Sequence, residues 1–262
     1  MKKSIGLIGG ADAHAVAKIF MDAGWDVLLL SQGLPCLAGA TAVSVLTAFA
    51  GCGMVLDLSE EDTEENKRGL TAELDGILPD GAVIVPSTVF LNVNSIAAAA
   101  RKRGRVVPAH VIVDGENIII ELVKTLEADA AVYDGAKEIL KGLFPTVVDA
   151  PDALGGIYYR MLPLMPNISA RLVMGGTKPE DIDLAMQYGT NFSKAPLRMA
   201  DAFGLDRILR LLEGIYEETK NQAYRPHEFL VGMVAEGKTG VASGEGFYRY
   251  GNEKGGNREG GR

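Results

Sequence analysis

The hydrophobic period of this chain changes once, near Ala150, and that change limits the fold more than any single motif. Before it, short apolar runs alternate with amphipathic stretches; after it, every periodic segment is helical. Ile5-Gly6-Leu7-Ile8 is an unbroken apolar run, the pattern of a parallel strand covered on both faces. Residues 12–23 then follow a helical period with Gly24 as its stop, and Trp25 to Leu30 forms a second strand. The alternation continues with a helix capped by Ser59, whose first turn holds Glu60, Glu61 and Asp62, acids that suit the helix dipole. Further strands are expected at Ala82–Val85, Val106–Val113, Asn117–Val123 and Thr146–Asp149, with helices over residues 92–103 and 128–142. Asp114-Gly115 joins two of these strands as a hairpin-like turn. The pattern predicts an α/β fold: a doubly wound parallel sheet with an antiparallel element at one edge, over residues 1–149. An all-helical domain over 150–251 follows, and the charged, glycine-rich tail 252–262 is expected to be disordered.

The stretch 33–56 carries no charge and is long enough to suggest a membrane span. Pro35 and several glycines break it, so it reads as a buried helix from Leu37 to Ala50 followed by a strand from Met54 to Leu58. The start Met1-Lys2-Lys3-Ser4-Ile5 is interrupted by Gly9-Gly10-Ala11-Asp12 too soon for a signal peptide and reads as a first strand. A net charge of −8 argues against nucleic acid or an anionic membrane as partner. The two cysteines, Cys36 and Cys52, have no pair spacing, which suits a reducing cytoplasm. No cluster has metal-ligand spacing.

In the helical half, residues 150–175 read as one long apolar helix, which must bury more than one face against another helix or a second subunit. Thr177 is expected to cap the next helix, with Glu180 three residues on. Then come Asp181-Ile182-Asp183-Leu184-Ala185-Met186, Ala200-Asp201-Ala202-Phe203-Gly204-Leu205-Asp206, Tyr224-Arg225-Pro226 and Gly246-Phe247-Tyr248-Arg249-Tyr250. In this order these segments resemble the helical domain of the L-3-hydroxyacyl-CoA dehydrogenase family. The resemblance spans about Met54 to Gly251.

It implies a Rossmann-like NAD-binding domain followed by a helical dimerisation domain. It implies NAD as cofactor and an acyl-CoA-like small molecule as substrate, and a homodimer, or a heteromer with a related subunit, formed through 150–251. It also implies roles for particular residues. His110 takes the proton of a 3-hydroxyl, Glu121 orients its imidazole, and Ser87 or Thr88 supplies a hydroxyl near the substrate. Gly9 and Gly10 approach the cofactor's pyrophosphate, and Ser31 stands where the family carries an acid for the adenosine ribose. A His suits such a base because its pKa lies near neutral and moves either way.

Several positions depart from the family pattern. Gly9-Gly10-Ala11-Asp12-Ala13-His14-Ala15 restores no Gly-x-Gly-x-x-Gly in either register, and Asp12, read as a helix cap, brings a carboxylate beside the phosphate position. Only 32–53 fills the place of a longer helical hairpin used for CoA. Val89 and Tyr159 replace a substrate-contacting serine and a positioning asparagine. Two functions therefore stand side by side: an oxidoreductase with a remodelled pocket, or a catalytically degraded subunit kept for its interface. Acid–base chemistry without redox is a third.

Overall fold

The computed structural model describes residues 3–115, 117–192 and 194–250. The expected disordered tail lies outside them. The chain divides into two compact units, one running to Ile157 and the other starting at Tyr158.

In the first unit, β1 (Ser4–Gly9) pairs in parallel with β2 (Asp26–Ser31) on one side and with β4 (Met54–Leu58) on the other. A short β3 (Thr41–Ala42) extends the β2 edge, and β5 (Val83–Pro86) lies beyond β4. Parallel bridges Ile84–Val106 and Ser87–Ala109 carry the ladder on to β6 (Ala109–Asp114). β7 (Asn117–Val123) then pairs antiparallel with β6, and β8 (Thr146–Ala150) parallel with β7. Between them run α1 (Ala11–Asp22), α2 (Glu64–Ile77), α3 (Val93–Ala97) and α4 (Ala130–Lys141). Successive side chains of a strand point to opposite faces, so Leu7 joins one apolar layer with Phe20, Leu29 and Leu56 while Ile8 joins another with Phe49, Val55 and Leu74.

Three expectations fail locally. No helix covers 37–50. Gly39 has φ +94°, and Val43 N–H donates to the Leu29 carbonyl, so the backbone follows the sheet edge instead and closes with a 3-10 turn (Leu46–Gly51). Its Phe49 ring lies against Gly6, where a Cβ would come within 2.6 Å of it. Ser59 does not cap α2; Thr63 does, accepting from Asn66 N–H at 3.3 Å. The helix expected over 92–103 is only α3, capped by Asn92; the chain then turns so that Arg105 can bond the Asp75 carboxylate and the Pro79 carbonyl.

In the second unit the long helix is broken. α5 (Tyr158–Met161) and α6 (Leu164–Met174) are separated at Leu162-Pro163, since Pro163 has no N–H to continue the ladder. α7 (Pro179–Thr190) is capped at Lys178, not Thr177: Pro179 occupies the first helical position and holds the preceding residue extended. α8 (Pro196–Phe203) and α9 (Leu205–Thr219) are split by Gly204 at φ +105°, and α10 (Glu228–Ala235) is capped by the His227 ring. Asp201 holds the final segment, accepting from Phe247 N–H, Tyr248 N–H and the Tyr250 hydroxyl. Burial still pushes its carboxyl above the usual range, against those three donors. No helix among the described residues is long and apolar enough to cross a membrane.

Candidate active site

β6 and β7 face each other so that His110 and Glu121 are direct partners across the antiparallel ladder. Opposed residues of such a pair project on the same face with their Cβ atoms about 5 Å apart, so the two side chains rise together. Gly156 marks where they converge. It has φ +56°, and a Cβ there would overlap both the Glu121 carboxylate and the His110 ring. The adjacent Ile157 N–H donates to Glu121 Oε2 at 2.9 Å.

The imidazole is wholly buried, and its Nδ1 lies 2.5 Å from the Thr88 carbonyl. A carbonyl can only accept, so Nδ1 carries the proton. The Thr88 carbonyl thus sets the tautomer. Nε2 has no hydrogen-bond partner among the described residues. Burial holds the His110 pKa below its usual value; the Thr88 bond and the charges of Glu121 and Asp62 push the other way and do not prevail. The ring is therefore neutral at pH 7, with a lone pair on Nε2, the form a general base requires.

Thr88 serves this geometry with its backbone. Its hydroxyl donates to Asp62 at 2.6 Å and accepts from Leu91 N–H at 3.2 Å. The other Asp62 oxygen accepts from Val89 N–H (2.8 Å) and Phe90 N–H (3.1 Å), so one carboxylate holds the whole turn after β5. Ser87 accepts from Val111 N–H at 3.2 Å, tying the same turn to β6. The sequence showed Asp62 only as one of three acids expected in the first turn of a helix, which in fact starts later, at Glu64. Its role depends on a residue 26 positions away, and no local pattern announces it. Tyr159 belongs to the second unit, where its ring stacks at 5.6 Å from Phe203.

The glycine turn follows β1. In the sheet order β3-β2-β1-β4-β5, connections leave β1 in one direction and reach β4 in the other, so the crevice at their carboxyl ends is the switch point where doubly wound folds take ligands. Gly9 sits there with φ +144°, and the Leu58 carbonyl fills the place of a Cβ. Gly10 precedes α1 as its N-cap residue and offers no side chain to cap it. The expected cap, Asp12, lies inside the first turn instead. Gly9 and Gly10 are the residues that the resemblance assigns to a dinucleotide's pyrophosphate. Ser31 ends β2 beside it, its hydroxyl donating to the Leu34 carbonyl and bonded to His14 Nε2 at 2.9 Å. Beneath the crevice, Lys67 and Asp57 form an ion pair at 3.2 Å with both side chains 1% exposed.

Two family models match the chain: the 3-hydroxyacyl-CoA dehydrogenase NAD binding domain over residues 31–153, and the C-terminal domain of the same family over 155–250. The chain belongs to the 3-hydroxyacyl-CoA dehydrogenase family. It is 28% identical to a 3-hydroxybutyryl-CoA dehydrogenase of Bradyrhizobium diazoefficiens, over 95% of each chain. It is 31% identical to one from Mycobacterium tuberculosis, over 75% of this chain and 70% of the relative. The fold matches the crystal structure of (S)-3-hydroxybutyryl-CoA dehydrogenase from Ralstonia eutropha with a TM-score of 0.87, at 22% identity, covering 96% of this chain and 100% of that one. The NAD-binding match begins at Ser31, so β1, the glycine turn and α1 lie before it. Among the described residues no group of His, Cys, Asp and Glu is placed to hold a metal ion.

Proposed function

We propose that this chain is an NAD-dependent oxidoreductase acting on the 3-hydroxyl of a 3-hydroxyacyl-CoA-type thioester. The observation that carries the reading is that the His110 Nε2, beside Glu121, is buried and has no hydrogen-bond partner among the described residues. An acceptor of this kind, withdrawn from water and left without a donor, has a use if a substrate hydroxyl supplies the proton. His110 acts as the base. Glu121 stabilises the imidazolium as it forms, since its charge favours the protonated ring. Thr88 is a positioning residue, holding Nδ1–H through its carbonyl, and Asp62 secures Thr88. Bound NAD supplies the acceptor for the hydride of the carbinol carbon; Gly9, Gly10 and Ser31 are the residues that would hold it.

The test is NADH oxidation, followed by its near-ultraviolet absorbance, with acetoacetyl-CoA, by the wild type and by His110→Gln. Turnover by the first and a loss of about a hundredfold or more in the second, with unchanged melting temperature, supports the reading. Full activity in His110→Gln, or none in the wild type at saturating substrates, overturns it.

A second observation favours self-association through the second unit. Ile168 and Leu172 on α6 and Leu184 and Tyr188 on α7 form i, i+4 pairs that are 64%, 46%, 51% and 86% exposed. Neighbouring apolar pairs at this exposure suit an interface between two copies of the chain or with a related subunit. Light scattering of wild type and Tyr188→Arg decides it: a dimer that becomes a monomer is expected, and a monomeric wild type removes the homodimer.

A further inference from the structure

The glycine turn has the backbone of a pyrophosphate cradle, yet a carboxylate already lies on it. Glu60 follows β4 at the carboxyl end of the sheet, and its Oε1 is so close to Gly10 that a Cβ there would overlap it. The backbone contributes to this placement, since Glu60 N–H reaches the Gln32 side chain at 3.4 Å and the Gln32 carbonyl lies 3.3 Å from the same Cβ position. The N-terminus of α1, whose N-cap residue Gly10 has no side chain, is the positive end of a helix dipole and would attract such an anion. Asp12 adds a second carboxylate in the first turn of α1. The nearby His14 is turned elsewhere. The Ser31 hydroxyl uses its one proton on the Leu34 carbonyl, so the contact at 2.9 Å has His14 Nε2–H as donor and Ser31 as acceptor.

We propose that Glu60 is an anionic plug of the dinucleotide site, occupying the pyrophosphate position at Gly10 in the free protein, so that a dinucleotide binds only by displacing it. This deepens the proposed function and rests on NAD being the cofactor. Glu60 is exposed and its carboxylate ends a flexible side chain, so displacement needs no backbone rearrangement. The plug makes this chain a weak dinucleotide binder whose affinity is set by one side chain on the β4–α2 connection.

The experiment is direct titration of the purified protein with NADH, read by nicotinamide fluorescence and by calorimetry. Glu60→Gln keeps the shape and removes the charge; Glu60→Ala removes both; Glu65→Gln, on the exposed surface of α2, is the control. Both Glu60 variants are expected to lower the Kd about tenfold or more, as removal of one like charge near a phosphate implies. Glu65→Gln should match the wild type. The gain should shrink as salt rises from roughly 0.05 to 0.5 M, because screening weakens the repulsion that is removed. Equal Kd values for wild type and both Glu60 variants overturn the plug while leaving the oxidoreductase reading intact. No binding by any of the proteins overturns both.

Discussion

Replacing Lys67 by methionine tests how the crevice floor is built. The Lys67 side chain is withdrawn from water, 3.2 Å from Asp57, and its ammonium also donates to the Ser59 carbonyl (3.2 Å) and hydroxyl (2.9 Å). Asp57 in turn accepts from Ser59 N–H at 2.9 Å. Methionine keeps the stem volume and removes the charge, stranding a carboxylate that is 1% exposed and sits between β1 and β5 in the sheet. Breaking a buried pair from one side costs about 3–5 kcal/mol, most of it the uncompensated charge rather than the lost attraction. Removing both charges in Lys67→Met with Asp57→Leu leaves no stranded ion and should recover most of the loss. At roughly 2–4 °C per kcal/mol for a domain of this size, the single variant should melt about 6–20 °C below wild type. Urea unfolding followed by the fluorescence of Trp25, which lies in the same unit, measures the free energies for the four proteins of the cycle. A single-variant loss below about 1 kcal/mol, or a double variant as unstable as the single, would refute the view that Asp57 is stabilised by Lys67.

Four further outcomes are expected. Gly156→Ala combines a left-handed backbone with a methyl group driven into His110 and Glu121, so a loss of about 2–4 kcal/mol and near-complete loss of turnover should appear together; wild-type kcat would show that the two side chains do not meet there. Asp62→Ala releases the 88–90 turn, and a fall in kcat of about tenfold or more, with a smaller change in NADH affinity, should be seen in steady-state kinetics and titration. The lowered pKa of His110 means that the folded state resists a proton which the unfolded chain accepts below about pH 6.5, so stability should fall as pH drops through that value, and His110→Gln should flatten this part of the profile. By the same sign, kcat/KM for hydroxyl oxidation should already be at its plateau at pH 7 and should fall only below the usual histidine range.

The break between a sheet-forming half and a helical half, and most of the order of strands and helices, were legible in the amino-acid order; the pairing of His110 with Glu121 was implied by the family resemblance. The first two rest on short-range information: an apolar period and the turn residues between periodic segments. Where a local preference competed with a distant partner, the sequence misled. The apolar 37–50 stretch reads as a helix, but the open edge of β2 offered it hydrogen bonds, and Pro163 divided the run 150–175 that its apolar period joins. The site shows the same division more sharply. That a histidine and a glutamate belong to one site was implied by the family resemblance. That the Thr88 carbonyl chooses the imidazole tautomer, that Asp62 ties down Thr88, and that Glu60 lies over Gly10 could not. Those contacts join residues 22, 26 and 50 positions apart, and only the parallel sheet, which gathers the carboxyl ends of its strands along one edge, brings them within reach.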